Sequence, residues 1–152
     1  MSIEESTFEE YFEVIDIEFD EWNNIDGLEV KPVYSPHPVE TNILYFRTLW
    51  ENGYATYGHL ADVASHDVLK KMLQENKKQP GISSLLKNKV WNDYHTPVQV
   101  KKIDIGGGII HGKAGDFKED KSEKIILAHT AHKLSQEEQL IGCGVTFGST
   151  DV

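Results

Sequence analysis

The fold prediction starts from residues 98–147, which read VQVKKIDIGGGIIHGKAGDFKEDKSEKIILAHTAHKLSQEEQLIGCGVTF. Short apolar runs alternate here with polar turns, a pattern typical of β-strands. A continuous antiparallel meander that follows one long helix indicates a curved sheet wrapped around that helix. The predicted strands are residues 98–105, 108–117, 124–132 and 139–147.

The strongest helical periodicity precedes this segment, in residues 57–75. Leu60, Ala64 and Val68 recur at a spacing of four, which places them on one face of a helix. Lysines and Pro80-Gly81 follow, as is typical of a helix C-terminus. We therefore predict an α+β fold, with a long central helix wrapped by a curved antiparallel sheet. Another α+β roll, with helices packed on a curved sheet, is the alternative.

The N-terminal third predicts a hairpin and a second helix. Residues 14–22 alternate apolar and acidic side chains, residues 23–27 form a turn, and residues 28–34 form the second strand. Residues 41–50 are predicted to start a helix. Residues 82–96 are predicted to be irregular, with Val90-Trp91 opening a strand.

Size and charge exclude several classes of protein. The 152 residues predict a single domain, residues 1–152, with an acidic N-terminal extension at about residues 1–13. The single cysteine, Cys143, fits a reducing compartment, and the acidic start of the chain does not resemble a secretory signal, so a cytoplasmic location is expected. No apolar run is long enough to span a membrane. The net charge of −10 argues against nucleic-acid binding.

Three segments of the chain resemble the hotdog-fold thioesterases and dehydratases. Tyr94 and Pro97 match an aromatic residue and a proline at the entrance to that family's sheet, and residues 139–148 are similar to its final strand. Residues 58–64, GHLADVA, resemble the central-helix segment of the phenylacetyl-CoA branch. That branch has His-Gly-Gly before the aspartate, where this chain has Gly53-Tyr54-Ala55.

The resemblance implies an acyl thioester hydrolase that works as a homodimer or a higher homo-oligomer, with its site at the subunit interface. The N-terminus of the central helix would stabilise the oxyanion, with Asp62 as general base or nucleophile and His59 as its partner. Coenzyme A is then part of the substrate, and no cofactor is expected. The expected substrate-binding residues are Tyr57, Gly58, His66, Tyr94, His95, Lys101 and Lys102.

Other functions remain open at this stage. His59, Asp62 and His66 would share one helix face, but they would spread over about 10 Å, which is more than one metal ion bridges, so no metal site is predicted. A dehydratase or isomerase acting on an acyl thioester is one alternative. A non-catalytic protein that binds a small ligand, or a basic partner through its acidic N-terminus, is another.

Overall fold

The computed structural model describes residues 10–37, 41–76, 78–106, 110–130 and 132–144. Within these ranges the chain forms six strands, three α-helices and one short 3-10 helix. The strands are β1 (Asn23–Ile25), β2 (Leu28–Tyr34), β3 (Asn42–Trp50), β4 (Gly53–Leu60), β5 (Val100–Asp104) and β6 (Lys124–Ala128). The helices are α1 (His66–Lys71), α2 (Ser84–Tyr94) and α3 (Gln136–Ile141), and the 3-10 helix is Ala114–Phe117.

All six strands of the described chain belong to one mixed sheet in the order β1-β2-β3-β4-β5-β6. Strands β1 to β4 pair antiparallel, whereas β5 is parallel to β4 and β6 is parallel to β5. Consequently β2, β4, β5 and β6 all run in the same direction, and their C-terminal ends meet at one edge of the sheet.

One face of the sheet is covered and forms the core. Neighbouring positions across β4, β5 and β6 place Leu60, Ile103 and Leu127 in one row, and all three are fully buried. Because side chains alternate along a strand, these positions face the same side. Leu69 of α1 and Val90 of α2 belong to the same buried cluster, so these two helices cover this face.

The opposite face of the sheet is only partly covered. Tyr57 and His59 of β4 and Lys102 of β5 are half-buried on this side. Phe46 of β3 lies on the same side, and its ring stacks on the ring of Tyr57 with 5.9 Å between the ring centroids. This face therefore carries both polar and apolar side chains.

The predicted central helix is wrong. Gly53–Leu60 is a strand and only His66–Lys71 is helical, with Ser65 Oγ accepting a hydrogen bond from the Val68 N–H at the start of that helix. The longest α-helix among the described residues is α2, which lies in the region predicted to be irregular. Leu60, Ala64 and Val68 are four residues apart in the sequence, although Leu60 ends a strand, whose residues 53–59 pair with β3, and only Val68 is helical. The hotdog-like architecture is therefore corrected to a mixed sheet with short helices. No helix in the described ranges is both long and apolar enough to cross a membrane.

The predicted antiparallel meander is also wrong. Strands lie where two of the four were expected, but β5 and β6 are parallel, and their connection contains the 3-10 helix Ala114–Phe117 instead of a strand. Gln136–Ile141 is a helix that begins with a Ser135–Glu138 capping box. Parallel strands require such a crossover connection, which the tight-turn pattern did not reveal.

The strand at Leu28–Tyr34 is confirmed, but the helix expected at residues 41–50 is wrong, because that segment is β3. The hairpin partner is β1 at Asn23–Ile25, and residues 14–22 form no strand. Residues 1–9 of the predicted extension, Gly107-Gly108 and residues 145–147 of the predicted last strand lie outside the described residues.

Candidate metal centre

Polar side chains collect where the parallel strands end. Asp62 follows β4 by two residues, Asp104 is the last residue of β5, and His129 follows β6 directly. His37 comes three residues after β2, which runs in the same direction, and His111 lies in the crossover after β5. Ligands of open mixed sheets usually bind at the carboxyl ends of the strands. We call these five residues the histidine–aspartate cluster.

Backbone contacts place two of these residues beside each other. The Ser65 N–H donates to the Ile110 carbonyl at 3.0 Å, and the Gly112 N–H donates to the Val63 carbonyl at 2.7 Å. The segment that carries His111 is thereby paired antiparallel with the segment that follows Asp62. A β-carbon at Gly112 would lie 2.7 Å from the Val63 Cγ2, so this approach requires a glycine. Because the pairing is made by the backbone, the position of His111 does not depend on its side-chain contacts.

Asp62 lies at the centre of the histidine–aspartate cluster. Its Oδ1 is 3.5 Å from the Nδ1 of His111 and 3.8 Å from the Nδ1 of His129. The ring of His37 lies 5.2 Å from the ring of His111. Two sets of possible ligand atoms each lie within 4.8 Å of one another: the first comes from His37, Asp62 and His111, and the second from Asp62, Asp104 and His129. Asp62 is common to both sets.

Two atoms at this centre lack hydrogen bonds. The Oδ1 of Asp62 and the Nδ1 of His111 are buried, and neither makes a hydrogen bond with any residue in the described part of the chain. A buried acceptor without a donor costs roughly 1–3 kcal/mol, so such atoms are rare and often mark a site for a bound group. Their separation of 3.5 Å is close to the distance between two ligands of one small metal ion.

A cavity of about 370 Å³ opens beside the cluster. His111 and Gly112 form part of its wall, and Lys71 and Lys113 stand on its rim with Asp67. Lys113 is well exposed and its Nζ lies 3.2 Å from the Asp67 carboxylate. The two lysines exceed the single carboxylate by one charge, so the rim favours an anionic solute.

A polar row on the open face of the sheet leads to Asp104. The hydroxyl of Tyr57 and the Nδ1 of His59 are 2.9 Å apart, and the Lys102 Nζ lies 2.6 Å from the Asp104 Oδ1. Burial, and next the charge of Lys102, lower the pKa of His59. Burial raises the pKa of Tyr57, and the negative charge of Asp104 acts in the same direction. Both shifts favour neutral side chains in this row.

Of the two residues predicted to be catalytic, Asp62 lies in the cluster and His59 lies on β4. The expected shared helix face of His59, Asp62 and His66 is wrong, because only His66 is helical. Tyr57 and Gly58 also lie within β4, so they do not form a helix N-terminus. The oxyanion arrangement predicted from the resemblance is therefore absent at Gly58.

The other predicted binding residues are engaged in the protein itself. Tyr94 is fully buried and its hydroxyl accepts a hydrogen bond from the Ala64 N–H. Lys101 is also fully buried, where its Nζ pairs with Asp120 and donates to the Tyr94 carbonyl at 2.9 Å. The ring of His66 stacks on Trp91. The two ring nitrogens of His95 contact the carbonyl oxygens of Trp91 and Asp116.

Sequence reasoning missed four residues of the cluster, namely His37, Asp104, His111 and His129. Asp104 and His129 lie near the ends of the two strands that were placed approximately right, at residues 98–105 and 124–132. Had these strands been recognised as parallel, the rule that ligands bind at strand ends would have placed Asp104 and His129 at one site. The sequence has no comparable signal for His37 and His111, which lie in irregular segments.

No model of a known protein family matches the chain, and no curated protein matches it.

Proposed function

We propose that the protein is a metal-dependent hydrolase in which His37, Asp62 and His111 bind a divalent ion such as Zn²⁺. The observation that carries this proposal is the pair of buried atoms, Asp62 Oδ1 and His111 Nδ1, which lie 3.5 Å apart without hydrogen bonds. Two histidines and one carboxylate form a ligand set that hydrolytic zinc sites use.

The distances fit an ion after a small closure of the site. Bonds of about 2.0–2.1 Å in a tetrahedral arrangement separate neighbouring ligand atoms by roughly 3.3 Å. The Asp62–His111 pair is already near this value, and all three ligand atoms lie within 4.8 Å of one another. A bound cation would also offset the cost of burying the Asp62 oxygen without a donor.

Three protein ligands leave a coordination position open, which favours a catalytic role over a structural one. In such a position a metal lowers the pKa of bound water to about 7 and so supplies hydroxide at neutral pH. His111 lies both in the cluster and in the cavity wall, so a solute in the cavity would reach this position. Hydrolysis is therefore the reaction class that the arrangement supports best.

The rim of the cavity supports a phosphate ester as substrate. Lys71, Lys113 and Asp67 all line the cavity, and their net positive charge attracts phosphate oxygens. The acyl thioester predicted from the sequence stays a prediction. It depended on a helix N-terminus at Gly58, and Gly58 lies within β4. The predicted homodimer stays a prediction as well.

The test measures hydrolysis by the metal-loaded protein with p-nitrophenyl phosphate, bis(p-nitrophenyl) phosphate and a set of acyl-CoA thioesters. We expect turnover of a phosphate ester and a loss of at least about 100-fold in Asp62→Asn and in His111→Gln. The matched control is His132→Gln, since His132 is an exposed histidine outside the cluster. Circular dichroism establishes that each variant is folded.

Three results would contradict the proposal. Wild-type rates in both cluster variants would place the reaction elsewhere. Full activity after chelation, with no metal bound, would leave Asp62 and His111 as a metal-free acid–base pair. Turnover of thioesters alone would support the substrate class predicted from the sequence against the phosphate ester.

A further inference from the structure

We propose that the histidine–aspartate cluster binds a second divalent cation, held by Asp104 and His129, with the Asp62 carboxylate bridging the two ions. This inference rests on the proposed function only in that the first ion occupies the His37–Asp62–His111 set. The second ligand set has its own geometry: atoms of Asp62, Asp104 and His129 lie within 4.8 Å of one another.

Asp62 is placed to serve both ions. Its Oδ1 is 3.5 Å from the His111 Nδ1 and 3.8 Å from the His129 Nδ1, so the two histidines approach the same carboxylate. The rings of His111 and His129 are 5.8 Å apart and nearly perpendicular. A carboxylate has two oxygens with about four acceptor positions, enough to bridge two cations about 3.5–4 Å apart.

The backbone holds His129 in an uncommon conformation. His129 has a φ of 54°, in the left-handed region that non-glycine residues rarely adopt. Gly106 packs directly against it, since a β-carbon at Gly106 would lie 1.2 Å from the His129 carbonyl oxygen. The Ile105 N–H donates to the Ala128 carbonyl at 3.0 Å and so pairs the residues directly before Gly106 and His129. Left-handed non-glycine residues cluster at ligand sites, where the surrounding structure enforces them.

The charge at Asp104 is compatible with a cation. Asp104 is buried at the end of β5, and its Oδ1 accepts a hydrogen bond from the Lys102 Nζ at 2.6 Å. One oxygen is therefore neutralised, and the carboxylate keeps a second oxygen for a metal. The site without ions contains two carboxylates, three histidines and one lysine, and its net charge stays close to zero. Bound hydroxide and an anionic substrate would balance the positive charge of two added cations.

A two-ion centre specifies the substrate class of the proposed hydrolase. Two ions a few ångströms apart stabilise the attacking and the leaving oxygen of an in-line displacement at phosphorus. In the reaction, a hydroxide oxygen forms a bond to phosphorus while the ester P–O bond breaks. The leaving alcohol takes up a proton, and the products are an alcohol and a phosphate. The cationic cavity rim beside His111 would receive the phosphate.

The test counts ions in the full chain by calorimetry with Zn²⁺, and by elemental analysis after gel filtration. We expect two ions per wild-type chain and one in His129→Gln and in Asp104→Asn, with affinity for the second ion reduced at least about 10-fold. Asp62→Asn should weaken both sites, and the exposed control His132→Gln should bind as wild type. With Mn²⁺, the wild-type protein should show the magnetic coupling of an ion pair, and His129→Gln should show an isolated ion.

The outcomes separate this inference from the proposed function. One ion per wild-type chain, with hydrolysis intact, would overturn the second site and leave the hydrolase standing. Two ions without hydrolysis of any tested ester would support the second site and overturn the hydrolase. Two ions in both His129→Gln and Asp104→Asn would place the second ion elsewhere, and no ion in the wild type would overturn both proposals. Circular dichroism and unfolding curves identify any variant that fails to fold, and the second-site variant that remains folded is then decisive.

Discussion

Lys101 carries a positive charge in the interior of the protein. Its side chain projects from β5 onto the covered face, is fully buried, and pairs with the equally buried Asp120. Burial lowers the pKa of the Lys101 ammonium, while Asp120 opposes that shift. Such a pair contributes little net stability, but each member depends strongly on the other because an unpaired buried charge is costly.

Removing one member of this pair should lower the free energy of unfolding much more than removing both members. Asp120→Ala leaves Lys101 buried without its anion, and we expect a loss of about 3–5 kcal/mol in the free energy of unfolding. The double variant Lys101→Met, Asp120→Ala should recover most of this loss. Urea unfolding of the two variants and of wild type measures the difference. A double variant less stable than Asp120→Ala would show that the unpaired charge of Lys101 does not cause the loss of stability in Asp120→Ala.

Tyr94 should make the protein sensitive to alkaline pH. Burial raises the pKa of its hydroxyl to about 12, so the folded state favours the neutral phenol. This contribution is complete below the ordinary pKa of about 10 and is lost as the pH rises to 12, by roughly 3 kcal/mol. Tyr94→Phe lacks the titrating group and loses the hydrogen bonds of the hydroxyl with Ser35 and with the Ala64 N–H, each worth about 1 kcal/mol.

We therefore expect Tyr94→Phe to be less stable than wild type near pH 8 and more stable near pH 12. Burial also raises the pKa of Tyr45, but that residue is present in both proteins, so the comparison isolates Tyr94. Urea unfolding at several pH values gives the two curves. Parallel curves across this range would show that Tyr94 titrates normally in the folded protein.

At the scale of elements, the connections after β5 and β6 determine where the cluster residues lie. Gly106, the second residue after β5, contacts the backbone of His129, which follows β6 directly. Further along, the same connection pairs with residues 63–65 through backbone hydrogen bonds. The connection after β5 thus holds His111 next to the residues that follow Asp62, and it contacts His129 through Gly106.

Gly106→Ala should disturb both stability and the second ion site. The new β-carbon would meet the His129 carbonyl at 1.2 Å, so the backbone must shift, at a cost of about 1–3 kcal/mol. Gly115→Ala is the matched control, because no atom lies within 4 Å of a β-carbon there. Thermal unfolding and Zn²⁺ calorimetry measure the two effects. Equal stability and equal Zn²⁺ affinity in the two variants would mean that the contact between Gly106 and His129 contributes to neither property.

At the scale of the whole molecule, the cluster exists only when the sheet is formed. Its residues lie at or after the C-terminal ends of β2, β4, β5 and β6, and in the sequence they are spread over residues 37–129. An unfolded chain does not hold these side chains together, so a cation that binds them favours the folded state.

Zn²⁺ should therefore stabilise the whole protein. At a free concentration 100 times the dissociation constant, we expect about 2.7 kcal/mol of added stability. Chelation should remove this gain, and Asp62→Asn should not show it, whereas His132→Gln should. Unfolding curves recorded with and without Zn²⁺ test the expectation. An equal gain in Asp62→Asn would place the bound ion outside the cluster.

The amino-acid sequence by itself determined features that depend on neighbouring residues. The predicted turn ending at Gly27 located β2 with its bounds, although Asn23–Ile25 of that turn form β1, and short apolar runs located β5 and β6 approximately. Asp62 was selected from the sequence, although for a helix that the chain does not form. Local periodicity indicates which side chains share a face, and this information is available without knowledge of the partner strand.

The tertiary structure decided which strands pair and in which direction. Residues 42–60 have apolar spacing that fits a helix as well as a strand, and only the pairing of β3 with β4 selects the strand. The parallel register of β5 and β6 depends on contacts across a crossover of about twenty residues, beyond the reach of a local pattern. His37, Asp62, Asp104, His111 and His129 meet because four strands end at one edge of the sheet, and that edge exists only after the strands have paired.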